Sequence, residues 1–249
     1  MTSSQLGLTV GIATFVLTTL AWLLLQNLSI GDKQIDERIE VGYGASDPQF
    51  ERAMGAVLGP TIVGGNRVQA LQNGDEIFPA MLSAIRSAQH TITFETYIYW
   101  SGAIGKEFAQ ALAERARACV SVHVMLDWWG SELVVSNLDA MRAAGIALQR
   151  YNPPRLTTLG RMNNRTHRKL LIADGLWTSV GSSNFDSRSF SVNDEANLNV
   201  LDASFAQAQR VTFDADVRLS RRVTLAQWEN RGWRDKLLDA LAGTLSSQL

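Results

Sequence analysis

Leu6 to Leu28 is an almost unbroken apolar run, and no charged side chain precedes Asp32. A run of this length can cross the hydrocarbon core of a bilayer as one helix. It is longer than the apolar part of a signal peptide and has neither a basic start nor a small-residue cleavage site. The pattern therefore predicts an uncleaved transmembrane anchor over 1–30. The polarity mix that follows, with Asp32, Asp36 and Glu37 beside Lys33 and Arg38, leaves its orientation open. Residues 31–60 read as a polar linker containing one short helix.

Beyond the linker the period alternates between that of strands and that of helices. Arg67 to Gln72 predicts a strand, and Asp75 to Ala88 a helix with Ile77, Met81 and Ile85 four apart. Strands follow at Thr91 to Tyr99, Val120 to Leu126 and Ile146 to Tyr151, separated by helices at Lys106 to Ala118 and Leu133 to Ala144. Leu170 to Ala173, turning at Asp174-Gly175 into Trp177 to Val180, is a hairpin signal. Ala196 to Leu201 is one further strand. The alternation predicts an α/β domain over 61–217 whose mostly parallel, mixed sheet is flanked by helices. Residues 218–249, with Arg218, Arg221, Arg222, Trp228 and Trp233 among apolar positions, predict an amphipathic helical tail.

Composition narrows the classes. A net charge of −1 does not mark the molecule as a nucleic-acid binder, and no nucleic-acid partner is expected. The single Cys119 excludes an intrachain disulfide. No metal is expected, since His90 and His123 stand apart from other ligand types and read as structural. No cofactor is expected either.

The candidate chemistry lies in Thr166-His-Arg-Lys-Leu-Leu-Ile-Ala-Asp174 and Gly181-Ser-Ser-Asn184. On an extended chain His167 and Lys169 share one face, while Arg168 points the other way. An imidazole beside an ammonium suits an anionic phosphate ester: one attacks, the other neutralises the oxygens as charge develops. Gly181 permits close backbone approach, and Ser182, Ser183 and Asn184 offer hydroxyl and amide donors. Asp174 reads as the turn residue of the hairpin rather than a group on substrate. Arginines between Asp139 and Asp174, Arg165 among them, either hold phosphate oxygens or form a solvated basic loop. Asp127, Trp128 and Trp129 fall at the C-terminal end of a strand, a common ligand-facing position. Glu95 stands inside an apolar strand.

The spacing H-x-K-x4-D-x6-G-S-x-N resembles the signature of the phospholipase D superfamily. Asn164 to Asp174, Val180 to Phe190 and Asn193 to Val200 resemble bacterial cardiolipin synthases, as does Thr93-Phe-Glu-Thr-Tyr-Ile-Tyr99. Up to about Asp174 the chain resembles the first repeat of those two-repeat enzymes, and from Trp177 the second, so it has a single repeat and a single motif. The resemblance implies His167, Lys169, Asp174 and Glu195 as catalytic residues, with Glu195 hydrogen-bonding an active-site histidine. It implies Ser182, Asn184 and Arg165 as substrate contacts. It further implies two-step phosphodiester exchange through a phosphohistidine, with phosphatidylglycerol as the anionic lipid substrate. One histidine supplies only one of the two roles such chemistry needs, which implies a homodimer. The expected setting is a single pass through the inner membrane of a bacterium. Two alternatives stay open: a phospholipase D-type phosphodiesterase or nuclease using water, and a truncated remnant without activity.

Overall fold

The structure is a computed structural model that describes residues 3–28, 42–59, 62–99, 103–128, 135–146, 148–152, 165–223 and 232. Two compact units divide the chain, the first taking in Met1–Gly65 and the second beginning at Asn66.

In the first unit, α1 (Ser3–Leu28) contains a window, Gln5–Trp22, of mean hydropathy 1.5. It is the one helix among the described residues long and apolar enough to span a membrane. Hydroxyls near its middle bond within the helix: Thr18 and Thr19 donate to the carbonyls of Thr14 and Phe15 at 2.9 and 2.8 Å. That is how a polar group is tolerated where no water competes. The short helix expected in the linker is α2 (Pro48–Leu58). Asp47 caps it, its carboxylate accepting from Gln49 N at 2.8 Å, Pro48 opens the first turn, and Gly59 at φ 88° closes it.

The second unit holds one eight-stranded sheet, ordered β1-β7-β6-β5-β2-β3-β4-β8. The strands are β1 (Arg67–Gln72), β2 (Thr91–Thr96), β3 (Ser121–Asp127), β4 (Leu148–Tyr151), β5 (Leu170–Ala173), β6 (Trp177–Gly181), β7 (Ala196–Leu201) and β8 (Arg221–Val223). Between them run α3 (Asn73–Ser87), α4 (Ala103–Arg117), α5 (Val135–Ala143), α6 (Ser187–Ser191) and α7 (Ala203–Val217). The mixed sheet flanked by helices is as expected, but its parallel share is smaller. Only β2–β3 and β3–β4 are parallel among the seven pairings. Tight turns explain the difference: β5 and β6 are joined by a hairpin, which can only be antiparallel, whereas parallel neighbours need a helical crossover. The expected helical tail is corrected at its start, where Arg221–Val223 pairs antiparallel with β4. Trp228 and Trp233 lie outside the described residues.

Strand alternation divides the core into two layers. Leu171 and Ala173 of β5 pack with Phe78, Ile85 and Phe108 of α3 and α4. Leu170 and Ile172 turn to the other face, against Ala206 of α7. β3 does the same, sending Val124 and Leu126 into the first layer and Met125 toward Phe213 of α7. The first layer is centred on aromatic rings. Phe185 lies 4.6 Å from both Phe94 and Phe108, edge to face, and 5.6 Å from Phe78. Phe185 directly follows Asn184, so this packing fixes the loop that carries Ser182 and Asn184. Strands from both resembling halves, β2–β5 and β6–β7, are joined edge to edge in this one sheet through the β5–β6 hairpin.

Candidate active site

The antiparallel pairing of β5 with β2 and β6 brings one set of strand ends together. The segment entering β5, the exits of β2, β3 and β6, and the entry to β7 all lie along one edge of the sheet. His167 is exposed there and packs against the ring of Tyr97, 5.5 Å between centroids. Lys169 is buried at 5 % exposure, its Nζ donating to the His167 carbonyl at 2.9 Å and lying 5.8 Å from the centre of Tyr97. The Arg165 guanidinium donates to Tyr97 Oη and sits 5.5 Å from the same ring. Tyr97 therefore gathers the imidazole and both cations around one aromatic ring. It is the residue that sequence reasoning did not single out. Its signal was present only as part of the stretch Thr93 to Tyr99.

Burial and charge tune these groups. Partial burial, then the neighbouring Lys169 and Arg165 charges, hold the His167 imidazole below its usual range. The shift favours the neutral imidazole, the form that can attack. Burial lowers the Lys169 ammonium to about 8, with the Glu195 carboxylate partly opposing the fall. The interaction also places Glu195 within electrostatic reach of Lys169.

Glu195 is itself buried and accepts from Ser182 Oγ. Ser182 Oγ in turn accepts from Ala196 N at 3.1 Å, and Ser182 N donates to Ala196 O at 3.1 Å. This closeness requires Gly181. A Cβ there would lie 2.3 Å from Ala196 O and 2.1 Å from Asn197 Oδ1. The backbone of Glu195 is held from α3: Asn73 N donates to its carbonyl at 2.8 Å, and Glu195 N donates to Asn73 Oδ1 at 2.9 Å. The expected bond from Glu195 to a histidine is not found among the described residues. Among the described residues its carboxylate meets Ser182, and no carboxylate holds the His167 ring.

Five of the seven proposed site residues thus come together: His167, Lys169, Arg165, Ser182 and Glu195. Asn184 stands beside them with its side-chain oxygen accepting from Ile98 N at 3.4 Å and its backbone N–H donating to Ser189 Oγ at 3.2 Å. It joins the β2 exit to the Gly181–Asn184 loop. Asp174 is at the other end of β5, which corrects its placement in the catalytic group. At φ 50° it turns the hairpin, and its carboxylate accepts from Gln89, His90 and Thr91 N at 2.9, 2.7 and 2.9 Å. Although burial alone would raise it, these three amides hold its carboxyl below the usual carboxylate range. Trp128 has the Arg150 guanidinium 4.2 Å from its ring centroid. Trp129 and the arginines of 153–164 lie outside the described residues.

A sheet edge carrying an exposed imidazole, a desolvated lysine and a serine–glutamate pair defines a phospholipase D-like domain. Residues 81–217, more than half of the chain, match the family described as "Cardiolipin synthase, PLD-like domain", and the chain belongs to that family. Cardiolipin synthase B of Shigella flexneri is 36% identical over 132 residues, 51% of this chain and 32% of that protein. The cardiolipin synthase of Geobacillus kaustophilus is 34% identical over 121 residues, 48% of this chain and 24% of that protein. The chain therefore spans about a third or less of the curated relatives it matches. In fold it resembles Nuc, a phospholipase D family member from Salmonella typhimurium, with a TM-score of 0.53 at 20% identity. That likeness covers 64% of this chain and 99% of the other.

Proposed function

We propose that this chain is a membrane-anchored phosphatidyltransferase of cardiolipin synthase type, working as a homodimer in the inner membrane of a bacterium. The observation that carries the reading is the pair at the entry to β5: an exposed His167 beside a buried Lys169. A neutral imidazole nitrogen attacks the phosphorus of phosphatidylglycerol. A P–N bond forms, the P–O bond to glycerol breaks, and Lys169 and Arg165 neutralise the oxygens as charge develops. The imidazolium of a second copy's His167 gives its proton to the leaving glycerol. That imidazole then takes the proton of an incoming lipid hydroxyl, whose oxygen displaces His167 from phosphorus. Ser182 is oriented beside the phosphoryl site by its hydrogen bond to Glu195, and Asn184 holds the loop that presents it.

The dimer is supported by the single motif and by the absence of an in-chain acid–base partner for His167 among the described residues. The anchor and the phospholipid substrate are supported by α1 and by the likeness to cardiolipin synthases. The test is detergent-solubilised protein with labelled phosphatidylglycerol. Cardiolipin plus glycerol upholds the reading; phosphatidic acid as sole product converts it to hydrolysis; no turnover overturns it.

A further inference from the structure

We propose that Glu95 is a positioning residue for the nucleophile, acting on His167 through the residues on either side of it. The inference rests on His167 being the attacking group. Residues 165–169 belong to no strand, so no sheet ladder fixes the backbone that carries the imidazole. Side chains do so instead. The Thr166 hydroxyl donates to the Glu95 carboxylate, and Thr166 N donates to Asp127 Oδ2 at 3.0 Å. On the other side of His167, the Arg168 guanidinium lies 3.4 Å from Glu95 and pairs with Asp216 of α7. The His167 carbonyl accepts from Lys169 Nζ at 2.9 Å. Through Thr166 and Arg168, the residues on either side of the imidazole are thereby tied to β2, β3 and α7.

Glu95 and Asp127 are both fully buried, at 0 % exposure, and stand at the exits of adjacent central strands. Buried carboxylates are costly, and apolar side chains of similar volume would serve the sheet as well or better. Their interior placement makes sense as a rigid mount. A nucleophile displaced by about 1 Å loses roughly 100-fold in rate even when substrate still binds. Glu95 touches no reacting atom in this scheme; it fixes where His167 stands.

The decisive pair of variants is Thr166→Val, which removes the hydroxyl at nearly constant volume, and Thr166→Ser, which restores it. Thr166→Val should lower kcat by about 10–100-fold with KM held within about twofold, while Thr166→Ser stays within about threefold of wild type. Wild-type kcat in Thr166→Val, or an equal loss in Thr166→Ser, overturns the inference. A role in packing alone would lower the melting temperature and leave kcat per folded molecule unchanged. Should the wild-type protein turn over no phosphodiester, it is the reading of His167 that fails, and the mount is then judged by amide exchange. Exchange at Thr166 about tenfold faster in Thr166→Val than in Thr166→Ser upholds it; equal rates sink it.

Discussion

Strand β5 separates two ionised clusters that the motif places seven residues apart, and they are built on opposite principles. At the His167 end the charges are under-partnered: Lys169 is buried with a carbonyl and a distant carboxylate for company, and burial pulls its ammonium down to about 8. At the Asp174 end the carboxylate accepts three backbone N–H groups and is held in its charged form. Unspent interaction is available to a substrate only at the first end. A saturated carboxylate spends everything on the fold. Membership of one sequence motif therefore does not mean membership of one site.

Replacing His167 gives the largest expected effect. His167→Ala should abolish turnover, a loss of roughly 10⁴-fold or more for a covalent nucleophile, with the melting temperature unchanged because the side chain is exposed. Mixing this variant with wild type in equal amounts also tests the dimer. If each site needs two histidines, about a quarter of the dimers remain competent; independent sites retain about half the activity. Activity near half would break the shared-site scheme.

Lys169 comes next. Lys169→Met should cost about 10²–10³-fold in kcat/KM, the scale of removing a preorganised electrostatic partner. The pH profile separates it from a histidine. Activity should rise as the attacking His167 loses its proton, and the fall at higher pH belongs either to Lys169, whose charge is lost near pH 8, or to the partner's imidazolium. Lys169→Arg keeps the cation at all accessible pH, so the descending limb should move upward. A limb that stays near pH 8 in Lys169→Arg would assign it to the partner's imidazolium instead.

How much of this was readable beforehand follows the same division. Strands β1 to β7 and the helices α3, α4 and α5 were legible because period and turn chemistry agree locally, as at Asp174-Gly175. α7 was not foreseen. Its apolar positions are spread around the helix, with Ala206 and Phe213 its buried residues, so the pattern lacks a continuous stripe. The parallel share was overestimated because alternation of elements says nothing about which strands become neighbours. At the site, His167 and Lys169 were legible by their spacing. Tyr97 and the Glu95–Thr166 contact were not, because residues separated by about seventy positions meet only through sheet register. Glu195 was legible as a site residue but not in its partner, which is Ser182 rather than an imidazole.

The smallest effect is expected at Asp174, and it is the sharpest check on the comparison. Asp174→Asn keeps an acceptor oxygen and the turn residue's tolerance of positive φ but removes the carboxylate that gathers three amides. Stability should fall by about 1–3 kcal/mol, read as roughly 2–4 °C of melting temperature per kcal/mol. The folded-state pKa lies below the unfolded one, so this stabilisation is fully present above the usual aspartate value, about pH 4. It is lost as pH falls through the folded value. The gap between wild type and Asp174→Asn should accordingly be constant at neutral pH and close in acid. Turnover per folded molecule should match wild type throughout, because β5 lies between this carboxylate and the imidazole. A drop in kcat of tenfold or more at full occupancy of the folded state would return Asp174 to the catalytic group and dissolve the distinction between the two ends of the strand.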